Sequence, residues 1–320
     1  MKKLLIFIIV FFLMLLVGIL YYVILRTDIA SQKVNKTVLS LAQGEYQYKP
    51  PMALVSYAAG DSVFLSNQLT LAESALNKGF EHIYMYGRQN IDQDFYYKNK
   101  LTLDEQRGAG YWLWKPYFIL KTMEQLPDDS IIIYADSGVV FSAPPSDKLL
   151  KYLDEYDMIL PSNGSPVPLR KHLKKEAQII LGIDQDEKIL NSDEIWAYFM
   201  VIRNNHSTRK FIKEWLLLCQ NAKLLTDLPF DPAIQEKEME THLHDQSLLS
   251  VLVAQHPQKK IIIKRYEFRK NLGVDNFHRH PEGKYTSPKF HAAGLKKQIA
   301  DMLFNNWALR QIRKYITEND

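Results

Sequence analysis

The clearest pattern lies at the start of the chain. Residues 4–25, LLIFIIVFFLMLLVGILYYVIL, carry no charge and no proline. About 20 apolar residues span a bilayer core, and Tyr21 and Tyr22 suit the interfacial belt. The shorter apolar core and small-residue cleavage site of a secretory leader are not evident. The run predicts one membrane anchor within 1–27, followed by a polar stalk over 28–50 and a globular domain over 51–320. In that domain apolar runs alternate with segments of helical spacing. MALVSYAAG (52–60) reads as a buried strand, SNQLTLAESALNKG (66–79) as a helix stopped by Gly79, and HIYMYG (82–87) as a second strand. YWLWKPYFILKTMEQL (111–126) reads as a helix with Pro116 near its first turn. SIIIYAD (130–136) has no polar alternation, which predicts a central strand covered on both faces. SDKLLKYLDEY (146–156) reads as a helix and DMIL (157–160) as a strand. IWAYFMVIRN (195–204) is a further strand, TRKFIKEWLLLCQ (208–220) and HDQSLLSVLVAQH (244–256) are helices, and KIIIKRY (260–266) is a strand. The tail from Gly294 has amphipathic helical spacing. Alternating strands and helices predict an open α/β sheet, whose ligands bind beyond the carboxyl ends of the strands.

Composition refines this little. The 320 residues are 47% hydrophobic and 24% charged, with a net charge of +4. A sizeable core is within reach, and disorder is excluded. There is no arginine-rich arm and no basic run with interleaved aromatics, so no nucleic-acid partner is expected. One cysteine, Cys219, rules out an internal disulfide and a cysteine-based zinc site. Its helical context makes it a small buried apolar residue. Lys2 and Lys3 on one side of the apolar run nearly balance Arg26, Lys33 and Lys36 on the other, so charge does not decide orientation. Asn35, Asn163 and Asn205 each open a glycosylation-type triplet.

Candidate chemistry starts with Asp136, which ends the central strand and precedes Ser137 and Gly138. It either forms an ordinary turn or presents a carboxylate at the rim of the sheet. HAAGLKK supplies His291, a possible metal ligand. Its Gly294 allows close backbone approach to a phosphate, and its Lys297 carries a point charge for one. Asp245 and Gln246 open a helix, where Asp245 serves either as an N-cap or in chemistry.

In this order the pieces resemble a GT-A glycosyltransferase. YADSG stands where that fold ends a strand in an Asp-x-Asp metal motif. AYFMVIRNNHSTRKFIKEW and HDQSLLSVL resemble its later strand–helix and Asp-Gln helix. HAAGLKK is similar to the His-x-x-Gly-x-x-Lys element of galactosyltransferase- and glycogenin-like members, and GAGYWLWKPYFIL resembles a block of a bacterial and viral branch. The likeness covers about residues 52–297. It implies a GT-A open mixed sheet flanked by helices and a nucleotide-sugar donor. The acceptor would be a hydroxyl of a glycan, lipid or protein. It also implies a divalent metal, Mn²⁺ or Mg²⁺, on Asp136 and His291.

The resemblance assigns Tyr57 and Ala58 to the nucleotide base, and Arg107 and Lys115 to the diphosphate. Asp136, Ser137, Gly138, Gly294 and Lys297 belong to the rest of the donor, and Asp245 to the reacting carbon. His278 and His280 are acceptor-side candidates, and Trp112 and Trp114 are read as packing. One departure stands out: Gly138 replaces the second aspartate, so the two-carboxylate clamp is absent. A haloacid-dehalogenase-type phosphatase would need an aspartate at that same position. A carbohydrate-binding scaffold on this fold is the non-catalytic alternative. The GYWLWKP block points to a bacterial inner-membrane protein, with a Golgi-type anchor as the alternative.

Overall fold

The strand signals converge on one six-stranded sheet. The computed structural model describes residues 11–22, 50–60, 62–162 and 166–276. The chain divides into two units, Met1–Lys49 and Pro50–Asp320. In the first, residues 11–22 form a helix, with Phe12, Leu16 and Tyr21 among its exposed side chains. Among the described residues no helix is long and apolar enough to cross a membrane. The remainder of the apolar run 4–25 lies outside them.

In the second unit the sheet has the order β2-β1-β3-β6-β5-β7. The strands are β1 (Met52–Tyr57), β2 (His82–Tyr86), β3 (Ile131–Ala135), β5 (Met158–Ser162), β6 (Phe199–Arg203) and β7 (Lys260–Lys264). β1 pairs parallel with β2 and β3, β6 runs antiparallel to β3 and β5, and β7 is parallel to β5. The sheet is therefore mixed, with β6 the reversed strand. β4 (Val139–Phe141) leaves the turn after Asp136 and pairs with β8 (Val274–Asn276) as a separate ribbon.

The missing alternation in the central strands has a direct cause. Ala53 and Val55 of β1, Ile132 and Tyr134 of β3, and Met200 and Ile202 of β6 belong to one apolar cluster. Their neighbours Leu54, Ile133 and Val201 belong to another. Successive side chains point to opposite faces, and both faces are covered. Helices α2 (Trp114–Gln125), α3 (His206–Cys219) and α4 (Asp245–Gln255) cover the first. Helices α1 (Ser62–Ala75) and α5 (Arg265–Leu272) help cover the second. Cys219 is free and fully buried.

Several boundaries differ from the expected ones. α1 begins at Ser62 rather than 66 and ends at Ala75, with Asn77 (φ 59°) and Gly79 (φ 89°) carrying the turn. The helix expected over 146–156 is the short Asp147–Leu150, capped by Ser146, followed by a 3₁₀ turn. Ile195–Tyr198 precede β6 instead of extending it. Side chains of α4 hold them there: Ile195 N donates to Ser250 Oγ (3.0 Å) and Ala197 N to Gln246 Oε1 (3.2 Å). Asn205, the one described residue among the three glycosylation-type positions, caps α3. Its side chain accepts from Thr208 N at 2.9 Å, while Thr208 Oγ1 accepts from Asn205 N at 3.0 Å.

Candidate functional site

Because β1 and β3 are adjacent and parallel, their carboxyl ends open on the same rim. A cleft of about 220 Å³ lies there. Tyr57, Ala58, Ala59 and Gly60 line it from β1, and Asp136 and Ser137 from β3. The opposite wall is Gln106, Gly108, Ala109, Trp112 and Trp114. The strand–aspartate ending thus faces the aromatic block of the sequence.

That block is not the start of a helix. Gly108, Ala109, Gly110, Tyr111 and Trp112 all have positive φ, between 50° and 101°. They form one left-handed turn, closed by Tyr111 N to Arg107 O (2.7 Å) and Trp112 N to Gly108 O (3.2 Å). Left-handed backbone costs about 1–2 kcal/mol for each residue that carries a Cβ. Glycine avoids this at two positions and is also needed for space. A Cβ on Gly108 would stand 2.4 Å from the Trp112 ring, and one on Gly110 2.9 Å from Leu103 Cα. Side-chain contacts offset the strain of the rest. Trp114 Nε1 donates to Gly108 O at 2.9 Å, Trp112 stacks on His244 with centroids 5.4 Å apart, and Tyr111 meets the same ring edge-on at 5.0 Å. The helix expected from residue 111 therefore starts at Trp114, with Pro116 in its first turn.

Lys115, one residue into α2, is 3% exposed. Its ammonium lies 3.0 Å from Asp245 Oδ2 and 3.7 Å from Asp136 Oδ1, and it donates to Ala197 O at 3.1 Å. Burial alone would weaken its charge, but Asp136 and then Asp245 outweigh burial and hold its pKa above the usual lysine value. Burial pushes the Asp245 carboxyl up to about 6; Lys115 pulls it down and the Asp136 charge adds to the rise. The Tyr134 hydroxyl donates to Asp136 Oδ1. One buried ammonium thus fixes two carboxylates, of which Asp136 reaches the cleft. Asp245 is the first residue of α4, so the capping position falls to His244 (φ 55°) instead. Trp215 Nε1 donates to Asp245 O at 2.9 Å, which ties that corner to α3.

The other anticipated residues divide into three groups. Ala58 and Ser137 line the cleft, and Gly138 is buried in the turn that leads from Asp136 into β4. Tyr57 also lines the cleft, but it is 4% exposed and its ring stacks on Trp114 (4.1 Å) and Phe118 (5.4 Å). Its ring is a packed aromatic of the cleft floor, and burial, opposed by Arg88, pushes its hydroxyl up to about 12. Arg107 turns away from the cleft: its guanidinium bonds both oxygens of Asp227 at 3.0 and 2.9 Å. His278, His280, His291, Gly294 and Lys297 lie outside the described residues.

No cation is among the described residues that line the cleft. Lys115 is committed to two carboxylates and Arg107 to a third. Among the described residues no further cation faces a diphosphate placed against Asp136. Mg²⁺ and Mn²⁺ fit such a site, since one or two carboxylates with substrate phosphate and water suffice for a Mg²⁺-type ion. Among the described residues no group of three or more metal-ligating side chains occurs.

Sequence reasoning passed over several participants. Trp112 and Trp114 line the cleft as well as packing. Tyr134 orders Asp136. Gln246 links α4 to the segment before β6, donating to Glu194 Oε1 at 2.9 Å while its Oε1 accepts from Ala197 N. The available signal was the adjacency of Gln246 to Asp245 and the density of glycine and aromatics in GAGYWLW.

Residues 66–282 match the galactosyl transferase GMA12/MNN10 family. The chain belongs to this family. It is a glycosyltransferase, an enzyme of sugar transfer. No curated protein matches it in sequence. Among solved structures it is similar to a glycosyltransferase involved in glycosylation of the major capsid of PBCV-1, at 11% identity and a TM-score of 0.44 over 76% of this chain and 100% of that one. It is also similar to mouse xyloside xylosyltransferase 1, at 8% and 0.40 over 74% and 99%. A third is the galactosyltransferase LgtC with donor and acceptor sugar analogues, at 12% and 0.37 over 75% and 94%.

Proposed function

We propose that this glycosyltransferase binds a nucleotide-diphosphate sugar in the cleft beyond β1 and β3 and transfers its sugar to a hydroxyl of a glycan. The observation that carries this reading is Asp136, held at the cleft by Lys115 and Tyr134 and opposed by a rigid aromatic wall. A galactosyl donor is the first to test, since the family description names galactosyl transfer. In the step, the bond from the anomeric carbon to the diphosphate oxygen breaks and a bond to the acceptor oxygen forms. The acceptor's proton ends on the released nucleotide diphosphate or on solvent. Asp136 would hold a divalent metal on the diphosphate, with His291 as second ligand and Gly294 and Lys297 against phosphate. That ion would supply the charge that makes diphosphate a good leaving group. Lys115 and Asp245 act through Asp136 as positioning residues.

The apolar run 4–25 supports a single-pass anchor. A bacterial inner membrane, with the domain on the cytosolic side where nucleotide sugars are made, is the proposed location.

The reading is tested by thermal unfolding with a panel of nucleotide sugars, each with and without Mn²⁺. Nucleotide sugar with Mn²⁺ should raise the midpoint, because a ligand at 100 times its Kd stabilises by about 2.7 kcal/mol. Mn²⁺ alone should have a smaller effect, because the donor diphosphate would complete its coordination shell. If no nucleotide sugar stabilises the protein under either condition, the reading is wrong.

A further inference from the structure

Lys115 is seated from behind as well as by its two carboxylates. It donates to Ala197 O at 3.1 Å, and Ala197 N donates to Gln246 Oε1 at 3.2 Å. The other end of that amide donates through Nε2 to Glu194 Oε1 at 2.9 Å. The links have a fixed sense. The Ala197 N–H takes the amide oxygen, which turns the amide nitrogen to Glu194, and a carboxylate is the acceptor that nitrogen needs.

Glu194 is 1% exposed. A carboxylate at that depth is costly unless it is paired. Its second oxygen, Oε2, stands 3.0 Å from His172 Nδ1. The partner is thus an imidazole, whose charge changes near neutral pH, where a lysine or arginine would have stayed charged. The backbone of His172 is tied to the same corner. Its carbonyl accepts from Leu243 N at 3.2 Å and from the Ser247 hydroxyl. Ser247 lies in the first turn of α4, the helix that carries Asp245 and Gln246.

The charged groups that face the imidazole are few. Glu194 is on one side. On the other, Glu240 Oε2 lies 3.6 Å from His172 Nε2, and Lys171 holds the second oxygen of Glu240 at 2.8 Å. His242 bonds Leu224 O, and burial pushes its pKa down to about 3, so it adds no charge. Glu194 raises the pKa of His172 above the ordinary histidine value; burial opposes the rise and Glu240 adds to it.

We propose that Glu194 and His172 are positioning residues for sugar transfer, a charged pair that fixes the Gln246 amide and, through Ala197, seats Lys115 beside Asp136. Neither is among the residues that line the cleft. The proposal rests on the reading of that cleft as the donor site. It predicts a dependence on pH. A group whose pKa is raised by folding contributes stability at low pH and loses it as pH rises through the folded value. Loss of the His172 proton leaves the Glu194 carboxylate buried without a counter-charge, and the links from Gln246 to Lys115 loosen with it.

The test uses the full chain in detergent and a panel of UDP- and GDP-hexoses with Mn²⁺. Hydrolysis of the best donor, with water in place of the acceptor hydroxyl, is followed upward from the ordinary histidine value of about 6.5. In the parent, kcat/KM should fall by about tenfold and then level off, the order expected for one lost bond to a charged group. His172→Gln should sit at the lower level at every pH. His172→Lys, charged throughout, should keep the higher level without a fall. A merely structural role would lower the melting midpoint of both variants and would not separate them by pH. Glu194→Gln should move the fall to lower pH, and it decides alone if circular dichroism shows either His172 variant unfolded. The proposal is overturned if the parent shows no fall, if His172→Lys keeps the parent's fall, or if Glu194→Gln leaves it in place. If no nucleotide sugar of the panel is bound or hydrolysed, the reading of the cleft is removed and this proposal with it.

Discussion

At the scale of single residues the site is an arrangement of charge out of water. Lys115 sits between Asp136 and Asp245. Removing one partner from a buried ionic group costs about 3–5 kcal/mol, so Lys115→Met should lower the stability of the chain by that order in urea unfolding. Unchanged stability would mean that the triad is solvated. Asp136→Asn keeps the shape and removes the charge. It should reduce transfer by about 10²–10³, measured at a temperature where circular dichroism shows the variant folded. Near-normal transfer in this variant would refute the role of Asp136. The pH dependence follows from Asp245. Its carboxyl is raised to about 6 in the folded protein, above the ordinary aspartate value, so the folded state binds more protons than the unfolded state between those two values. The contribution of Asp245 to stability is therefore complete below the ordinary value and is lost as pH rises through about 6. Positioning of Lys115 needs the ionised form, so transfer should rise with pH through about 6. In Asp245→Asn both dependences should disappear, and an acid limb that persists unchanged would assign it to another group.

At the scale of elements the left-handed turn is the decisive piece and was the least legible. The chain from Tyr111 has helical apolar spacing, and nothing in that spacing signals a reversal of handedness. Only the two glycines of GAGYW hint at it, and their meaning depends on partners far away in sequence, His244 and Asp227. By contrast the central strands and the helices α2, α3 and α4 were legible. Each is a strongly apolar segment, the central strands covered on both faces, and local pattern and tertiary burial agree. The short helices Gln93–Lys98 and Lys100–Leu103 were not legible, nor was the β4–β8 ribbon. The ribbon pairs residues far apart in sequence over only three positions. Two substitutions probe this level. Gly110→Ala places a Cβ at φ 101° and 2.9 Å from Leu103 Cα. It should cost at least about 1–2 kcal/mol and weaken nucleotide-sugar binding by disturbing Ala109 and Trp112. Full stability with full binding would show that the turn is malleable. Asn204, fully buried, donates through Nδ2 to Met123 O, Leu126 O and Pro127 O and so joins the end of α2 to β6. Asn204→Ala leaves carbonyls unsatisfied and should cost about 1–3 kcal/mol in the same unfolding measurement.

At the scale of the whole molecule the sheet order explains why three distant stretches of sequence had to be read together. β3 sits between β1 and β6, so Asp136 meets the end of β1 on one side and, through β6 and α4, Asp245 on the other. The sequence pattern supplied the elements and the carboxylate, but not the partition of Lys115 and Arg107 to different acids. That partition depends on where the chain puts Asp227, in a segment without regular periodicity. Every described residue that lines the cleft lies beyond Pro50. Deleting residues 1–30 should therefore yield a protein with native-like circular dichroism and unchanged nucleotide-sugar stabilisation, recovered without detergent. If the deleted chain aggregates or melts non-cooperatively, those residues contribute to the fold, and the division into anchor, stalk and domain is wrong. If it folds but the full chain is also recovered without detergent, the apolar run 4–25 is not an anchor. Protease protection in vesicles of the native host then assigns the side. A cytosolic domain is cleaved in inverted vesicles and protected in right-side-out ones, and the reverse pattern would place the acceptor on the far side of the membrane.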